Sequence, residues 1–257
     1  MRVLVLGGSG NMDKLDVQQL LDRGHEVQAI VRSPESMPST LVSKPKLYVI
    51  KASLLDLSVD DLSLHMKGCD AVVCTLGHNL NYGRVPVLGI WLNPHDLVVR
   101  ATQMVCESIN KLEPTTPIKF VLLNTVGVEN PDGSDKHVRR GFEHKVDAFM
   151  NATVPPYADS VRSAEYISSE VGKGSKHVEW VTVRPDGFID GEVSEYTVLE
   201  TTMYAFYTPD KITKANIAHF MCELLDEPKK WEQWRFKMPV IIDTHQPGKQ
   251  TQPSPHA

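Results

Sequence analysis

No stretch of the 257 residues approaches the roughly 20 consecutive apolar positions that a membrane helix requires. The first strand-like run begins at Arg2, which leaves no length for a leader, so a chain without signal peptide or membrane anchor is expected. Charge of one sign is lacking too. With 27 basic against 32 acidic residues and a formal net charge of -5, neither nucleic acid nor an anionic membrane is expected as a partner. Cysteine is scarce: Cys69, Cys74, Cys106 and Cys222 fall in apolar segments without the spacing of metal ligands. They read as buried free thiols in a reducing, cytoplasmic setting, and no metal site is expected.

What is present is alternation. Apolar runs at residues 2–7, 26–31, 48–51, 70–76, 118–123 and 178–183 have the length and composition of strands buried on both faces. Helical patterns lie between and beyond them, notably at 13–23, 92–112, 158–171 and 214–226. This order predicts a Rossmann-like α/β fold: a doubly wound parallel sheet with right-handed crossovers and a small C-terminal substrate-binding portion. Residues 1–243 are expected to form a single domain. The charged stretch 129–151 reads as an exposed insertion that caps a cleft or as a solvated helix, and 186–213 as loops and short strands beyond the sheet. The expected substrate side is made of residues 129–157 and 186–213. Residues 244–257, rich in proline and polar side chains, are expected to be a disordered tail.

Chemistry concentrates at the first turn. Val3 to Leu6 form a strand, Gly7-Gly8-Ser9-Gly10 a turn, and a helix follows toward Arg23-Gly24-His25. Backbone N–H groups at such a turn bond a pyrophosphate with help from the helix dipole, and glycine lets the backbone approach. Asp13 stands where a third glycine is usual. It either brings a carboxylate toward the anionic ligand or points outward to stabilise the first helical turn. At the end of the second strand the sequence reads Ile30-Val31-Arg32-Ser33, with no acid to bond a ribose 2′-hydroxyl. The planar fork of Arg32 suits a 2′-phosphate, with Ser33 adding a hydroxyl, so NADP (as NADPH) is the expected cofactor.

With VLVLGGSGNM, IVRSPE, GCDAVVCTLG and VEWVTVRPDGFI, residues 1 to about 242 resemble the atypical short-chain dehydrogenase/reductase superfamily. More narrowly they resemble its NAD(P)-binding group of flavin reductase (biliverdin-IXβ reductase) and NmrA-like proteins, to which VPPYADSVRSAEYI and ITKANIAHFMCELL are similar. The resemblance implies a pyrophosphate cradle of Gly7, Ser9, Gly10, Asn11 and Met12, with the 2′-phosphate on Arg32 and Ser33. It implies adenine near Ser53 and Leu54, the nicotinamide ribose near Thr75, Leu76 and Gly77, and the nicotinamide near Arg184, Pro185 and Asp186.

The acid of ordinary short-chain dehydrogenases, a tyrosine with a lysine four residues on, occurs only as Tyr207 to Lys211, interrupted by Pro209. Other groups are therefore candidates. Asn124 and Thr125 follow the fifth strand where the flavin reductase group carries hydroxyls beside the nicotinamide, although Val126 stands where that reductase has serine. Both residues also read as finishing the strand's hydrogen bonding. His78, in the loop Gly77 to Arg84 at the carboxyl edge of the sheet, is the candidate proton donor. Tyr157 and Asp186 are candidate substrate contacts, and His25 and His219 read as structural. Three functions stay open: an NADPH-dependent reductase of a small conjugated or cyclic molecule, a redox-silent isomerase or cyclase, and a non-enzymatic NmrA-like sensor. The expected partner is a small-molecule substrate, and the chain a monomer or homodimer.

Overall fold

A computed structural model describes residues 1–7, 11–78, 94–136, 138, 141–202 and 211–243, with the backbone alone at Asn11. The six apolar runs form parallel strands: β1 (Arg2–Leu6), β2 (Glu26–Val31), β3 (Leu47–Lys51), β4 (Ala71–Cys74), β5 (Ile118–Leu123) and β6 (Val178–Pro185). Their spatial order is β3-β2-β1-β4-β5-β6. The winding reverses between β1 and β4, which leaves a crevice beyond their carboxyl ends.

Among the described residues eight α-helices pack on this sheet or lie beside it: α1 (Asn11–Asp22), α2 (Ser39–Val42), α3 (Val59–Met66), α4 (Leu97–Leu112), α5 (Gly141–Thr153), α6 (Pro155–Glu165), α7 (Lys214–Asp226) and α8 (Pro228–Trp234). The alternation of each strand feeds two cores. On β1, Val3 and Val5 join Leu20, Phe220 and Trp231 on one face, whereas Leu4 and Leu6 join Leu62, Val105 and Ile109 on the other. All ten are buried, and each such side chain contributes roughly 1.5–3 kcal/mol of transfer free energy. A strand buried on both faces cannot slip register without losing both sets.

The local signals act as their chemistry dictates. Ser58 and Asp61 form a reciprocal capping box that starts α3, and Thr213 accepts the Asn216 N–H at 3.0 Å to start α7. Pro155 and Pro156 open α6, where missing N–H groups cost nothing, and the helical path continues as a π-type turn over Tyr166–Val171.

Beyond β6, β7 (Gly187–Ile189) and β9 (Lys211–Thr213) pair with each other apart from the main sheet, as expected for short strands there. β8 (Tyr196–Leu199) departs from that expectation. It pairs antiparallel with β10 (Val240–Asp243), which runs parallel to β6, so the sheet grows to eight strands. The charged 129–151 stretch divides in two. Asn130 and Asp135 are buried, whereas α5 buries none of its described side chains and exposes Phe142 and Phe149. All four cysteines are free and buried, and burial raises the thiols of Cys69 to about 11 and Cys74 to about 12. Among the described residues no helix is long and apolar enough to cross a membrane, and no group of side chains could hold a metal ion. The tail from 244 lies outside the described residues, as does Tyr207 of the Tyr207–Lys211 pair.

Candidate functional site

The crevice at the carboxyl ends of β1, β2, β4 and β5 opens into a cavity of about 520 Å³. That is within the roughly 300–1,000 Å³ of small-molecule sites. Of the residues proposed from sequence, Gly7, Met12, Arg32, Ser53, Leu54, Thr75, Leu76, Gly77, His78 and Asn124 line it. Ser9 and Gly10 lie outside the described residues, as does the side chain of Asn11.

Gly7 ends β1 with φ +113°, a conformation that side-chain-bearing residues rarely adopt. A Cβ there would also fall 2.7 Å from Oδ1 of Asp13. Asp13 is thus turned inward, 4% exposed, with its carboxylate against Gly7 and accepting a hydrogen bond from the Thr75 hydroxyl. The outward orientation considered from sequence does not occur. One helical turn on, Asp16 is fully buried, and among the described residues only the Thr75 hydroxyl, which is bonded to Asp13, lies near its carboxyl group. Burial pushes its pKa well up, the neighbouring Asp13 charge adds to the rise, and the nearby Thr75 hydroxyl offsets only part of it. This side of the first turn therefore holds two carboxyl groups, one of them favoured in the neutral form.

Arg32 follows β2 directly, exposed on the cavity wall, and makes no ion pair among the described residues. Ile30, Ala52 and Leu54 supply apolar surface on the same wall. Ser33, one residue on, does not line the cavity; it precedes a short 3₁₀ turn over Pro34–Ser36.

At the other end His78 leaves β4 with Nε2 2.8 Å from Oδ2 of Asp159 on α6. Asp159 is completely buried and also accepts the backbone N–H groups of Val98 at 2.7 Å and Val99 at 3.0 Å. The side chain of Asp96, the residue at the start of α4, makes no capping bond, so α4 is capped from another helix. Asn124, 9% exposed, donates through Nδ2 to the Ser160 carbonyl and the Ser163 hydroxyl, each at 3.1 Å. Its Oδ1 accepts from the Thr125 N–H at 2.8 Å. The amide thus ties β5 to α6 while facing the cavity.

Five further proposed residues do not reach the cavity. Arg184 is fully buried: Nε donates to the Met238 carbonyl at 2.8 Å, and Nη1 donates to the Val128 carbonyl and pairs with buried Asp135. Its guanidinium is a cross-brace of the protein interior, and Pro185 shares its strand end without lining the cavity. Tyr157 is buried with its hydroxyl donating to the Gly127 carbonyl at 2.6 Å and lying against the Asp147 carboxylate, which is a packing role. Asp186 accepts from the following Gly187 N–H at 2.7 Å, and Thr125 accepts from the Gly127 N–H at 3.3 Å; neither lines the cavity. Among the described residues of 129–157 only Pro156 lines it, and none of the charged stretch 129–151 does.

Residues 7–228 match the family model described as NAD(P)H-binding. The chain belongs to this NAD(P)H-binding family. Membership agrees with the resemblance to atypical short-chain dehydrogenase/reductases, and no curated protein matches the sequence. Among solved structures, a candidate NADH-flavin reductase from Streptococcus pneumoniae is 21% identical with a TM-score of 0.62, covering 95% of this chain and 99% of that one. A short-chain dehydrogenase/reductase from Veillonella parvula in complex with NADP is 10% identical with a TM-score of 0.66, covering 96% and 95%. A candidate NAD-dependent epimerase/dehydratase from Bacillus halodurans is 21% identical with a TM-score of 0.61, covering 95% and 94%. At these identities the likeness is one of fold. Arg32, in no ion pair among the described residues, and the apolar Ile30, Ala52 and Leu54 on the same wall fit the family's ligand, whereas the inward carboxylate of Asp13 does not favour an anionic group beside Gly7.

The cleft also contains residues that motif reasoning passed over. Pro156 and Ser160 reach it from α6, Leu97 and Val98 from α4, and half-exposed Phe188 from β7. Their common signal is the absence of one: each lies beside a helix start or short strand whose position depends on distant pairing.

Proposed function

We propose that the protein is an NADPH-dependent reductase of a small conjugated or cyclic organic molecule. The observation that carries this reading is Arg32: a cation directly after β2, exposed on the wall of the cleft and in no ion pair among the described residues. Its fork would hold a 2′-phosphate, and the strand end Ile30-Val31-Arg32-Ser33 offers no acid that would favour a bare ribose. When bound, the reduced nicotinamide supplies a hydride to an electrophilic carbon of the acceptor. The chain's part is to hold the acceptor between the β5 end at Asn124 and the wall formed by Phe188 and Leu97, and to exclude water from that contact. His78 supplies the proton that completes the two-electron reduction, at the acceptor atom that has gained the electron pair. Among the described lining residues, His78, Asp13 and Arg32 are the titratable groups, and His78 lies at the end away from Arg32.

The test is a titration of the purified protein with NADPH and NADH, followed by turnover with FMN and 1,4-naphthoquinone as acceptors. Arg32→Ala is expected to weaken NADPH binding roughly ten- to a hundredfold, the size of a lost charge-assisted hydrogen bond, with little change for NADH. Equal weakening of both would remove the 2′-phosphate assignment. One feature favours a second reading: the Asn124 amide is fully engaged by α6 and its own neighbour. NADPH binding without turnover of any acceptor would support a redox-silent isomerase or a sensor.

A further inference from the structure

Asp159 has the most committed carboxylate near the cleft. Its two oxygens meet two backbone donors and one imidazole nitrogen from two separate parts of the chain: Oδ2 accepts from the Val98 N–H and faces His78 Nε2, and Oδ1 accepts from the Val99 N–H. Arg162, one turn along α6, stands 3.9 Å from Oδ1 and donates to the His95 carbonyl at 3.1 Å. No solvent reaches the carboxylate. A carboxylate with two backbone N–H groups fixed on it offers a neighbouring imidazole an acceptor only. The imidazole nitrogen that meets it must carry hydrogen.

We propose that Asp159 is the positioning residue of this site: it holds His78 in the tautomer protonated at Nε2, so that Nδ1 is the nitrogen presented to a bound molecule. The same carboxylate starts α4, so the orientation of the histidine and the placement of the α4 wall are one event. The tautomer assignment stands on the geometry alone, whereas its consequence for turnover rests on the proposed reductase reading. In the proton-transfer step, neutral His78 takes a proton from solvent at Nδ1 and passes that proton to the acceptor atom that has received the electron pair. Nε2–H stays on Asp159 throughout, and the ring returns to its starting form. No oxidant or reductant beyond NADPH is required.

Nitrogen-15 NMR of the unliganded protein, with ring-labelled histidine and His78 assigned by its loss in His78→Gln, reads the tautomer directly. The wild type is expected to show His78 protonated at Nε2 and bare at Nδ1; the opposite pattern overturns the proposal whatever the activity. Asp159→Ala removes the acceptor and is expected to give a mixture of both tautomers, and an unchanged spectrum would overturn it equally. Should Asp159→Ala fail to fold, Asp159→Glu keeps the acceptor and the charge while displacing both. It is expected to perturb the His78 ring signals, and a wild-type spectrum in that variant counts against the assignment. With NADPH and 1,4-naphthoquinone, His78→Gln and Asp159→Ala are each expected to lower kcat on the order of a hundredfold. The double variant is expected to lose no more than His78→Gln alone, because Asp159 acts through His78; additive losses would reassign Asp159 to a purely structural role. Correct tautomers in a protein that turns over no acceptor would leave this inference intact and remove the reductase reading instead.

Discussion

At position 13 a carboxylate fills space that a third glycine would leave empty, and the consequences run to its neighbours. Gly7 has no room for a Cβ because Asp13 is there, Thr75 spends its hydroxyl on Asp13, and Asp16 faces a second acid instead of a partner. For Asp16 the sign of the effect is definite. A carboxyl whose folded-state pKa is raised binds more protons folded than unfolded, so its contribution is complete below the ordinary value of 3.8 and is lost as pH rises through the raised value. Between the ordinary value of 3.8 and the raised one, Asp16 therefore takes stability away as pH rises, and Asp16→Asn is expected in urea unfolding to gain stability over the wild type toward the alkaline end of that window. A variant that gains nothing there would mean that Asp16 is charged and compensated. Position 13 was open to inspection as a departure from a motif, but its orientation was not: helical periodicity alone does not tell a carboxylate turned to solvent from one wedged against a strand.

Among the elements, the strands were the most readable and the helix starts the least. Runs such as RVLVL and IKFVLL are buried on both faces, so every residue carries the same signal, and the observed strands lie within a few residues of those expected. Helix α3 has a capping box that is local. The body of α4 lies within the helical pattern read at 92–112, but its start does not follow from the sequence. Asp96 has the right side chain at the right place, yet the acceptor that serves Val98 and Val99 is Asp159, about 60 positions away. Two substitutions separate these cases by thermal or urea unfolding. Ser58→Ala is expected to cost about 1 kcal/mol as a lost cap. Asp96→Ala is expected to stay within about 0.5 kcal/mol, because its side chain caps nothing and faces Arg100 only at 3.9 Å on the surface. Equal losses at both positions would restore Asp96 as the working cap.

Across the molecule, Arg184 and Asp135 join what the sequence presents as separate regions. Arg184 belongs to β6 and Asp135 to the charged stretch, and the pair lies in the interior with the N–H groups of Asn130 and Thr202 also donating to Asp135. Burial acts to raise the Asp135 carboxyl, but the bond and charge of Arg184 outweigh it and hold the pKa below the ordinary value. Asp135→Ala is expected to cost about 3–5 kcal/mol in urea unfolding, because it strands a buried guanidinium whose Nη2 already lacks a partner. A loss within the surface range would show that water reaches Arg184. The family resemblance made Arg184 a cofactor contact; its inward turn depends on an acid 49 residues earlier that looked like solvated charge.

The threefold duty of Asp159 bears on how the cleft can be altered. A side chain that orients a histidine, starts a helix and fixes a wall is exposed to three separate constraints, and Asn124 with its three bonds is in a similar position. Leu55, Leu97 and Phe188 line the same cavity with apolar side chains that have no hydrogen bonds to forfeit. Redesign of which molecules the cleft admits, by selection or by hand, therefore has free positions at those three residues, of which Phe188, half exposed on a three-residue strand, is the most exposed.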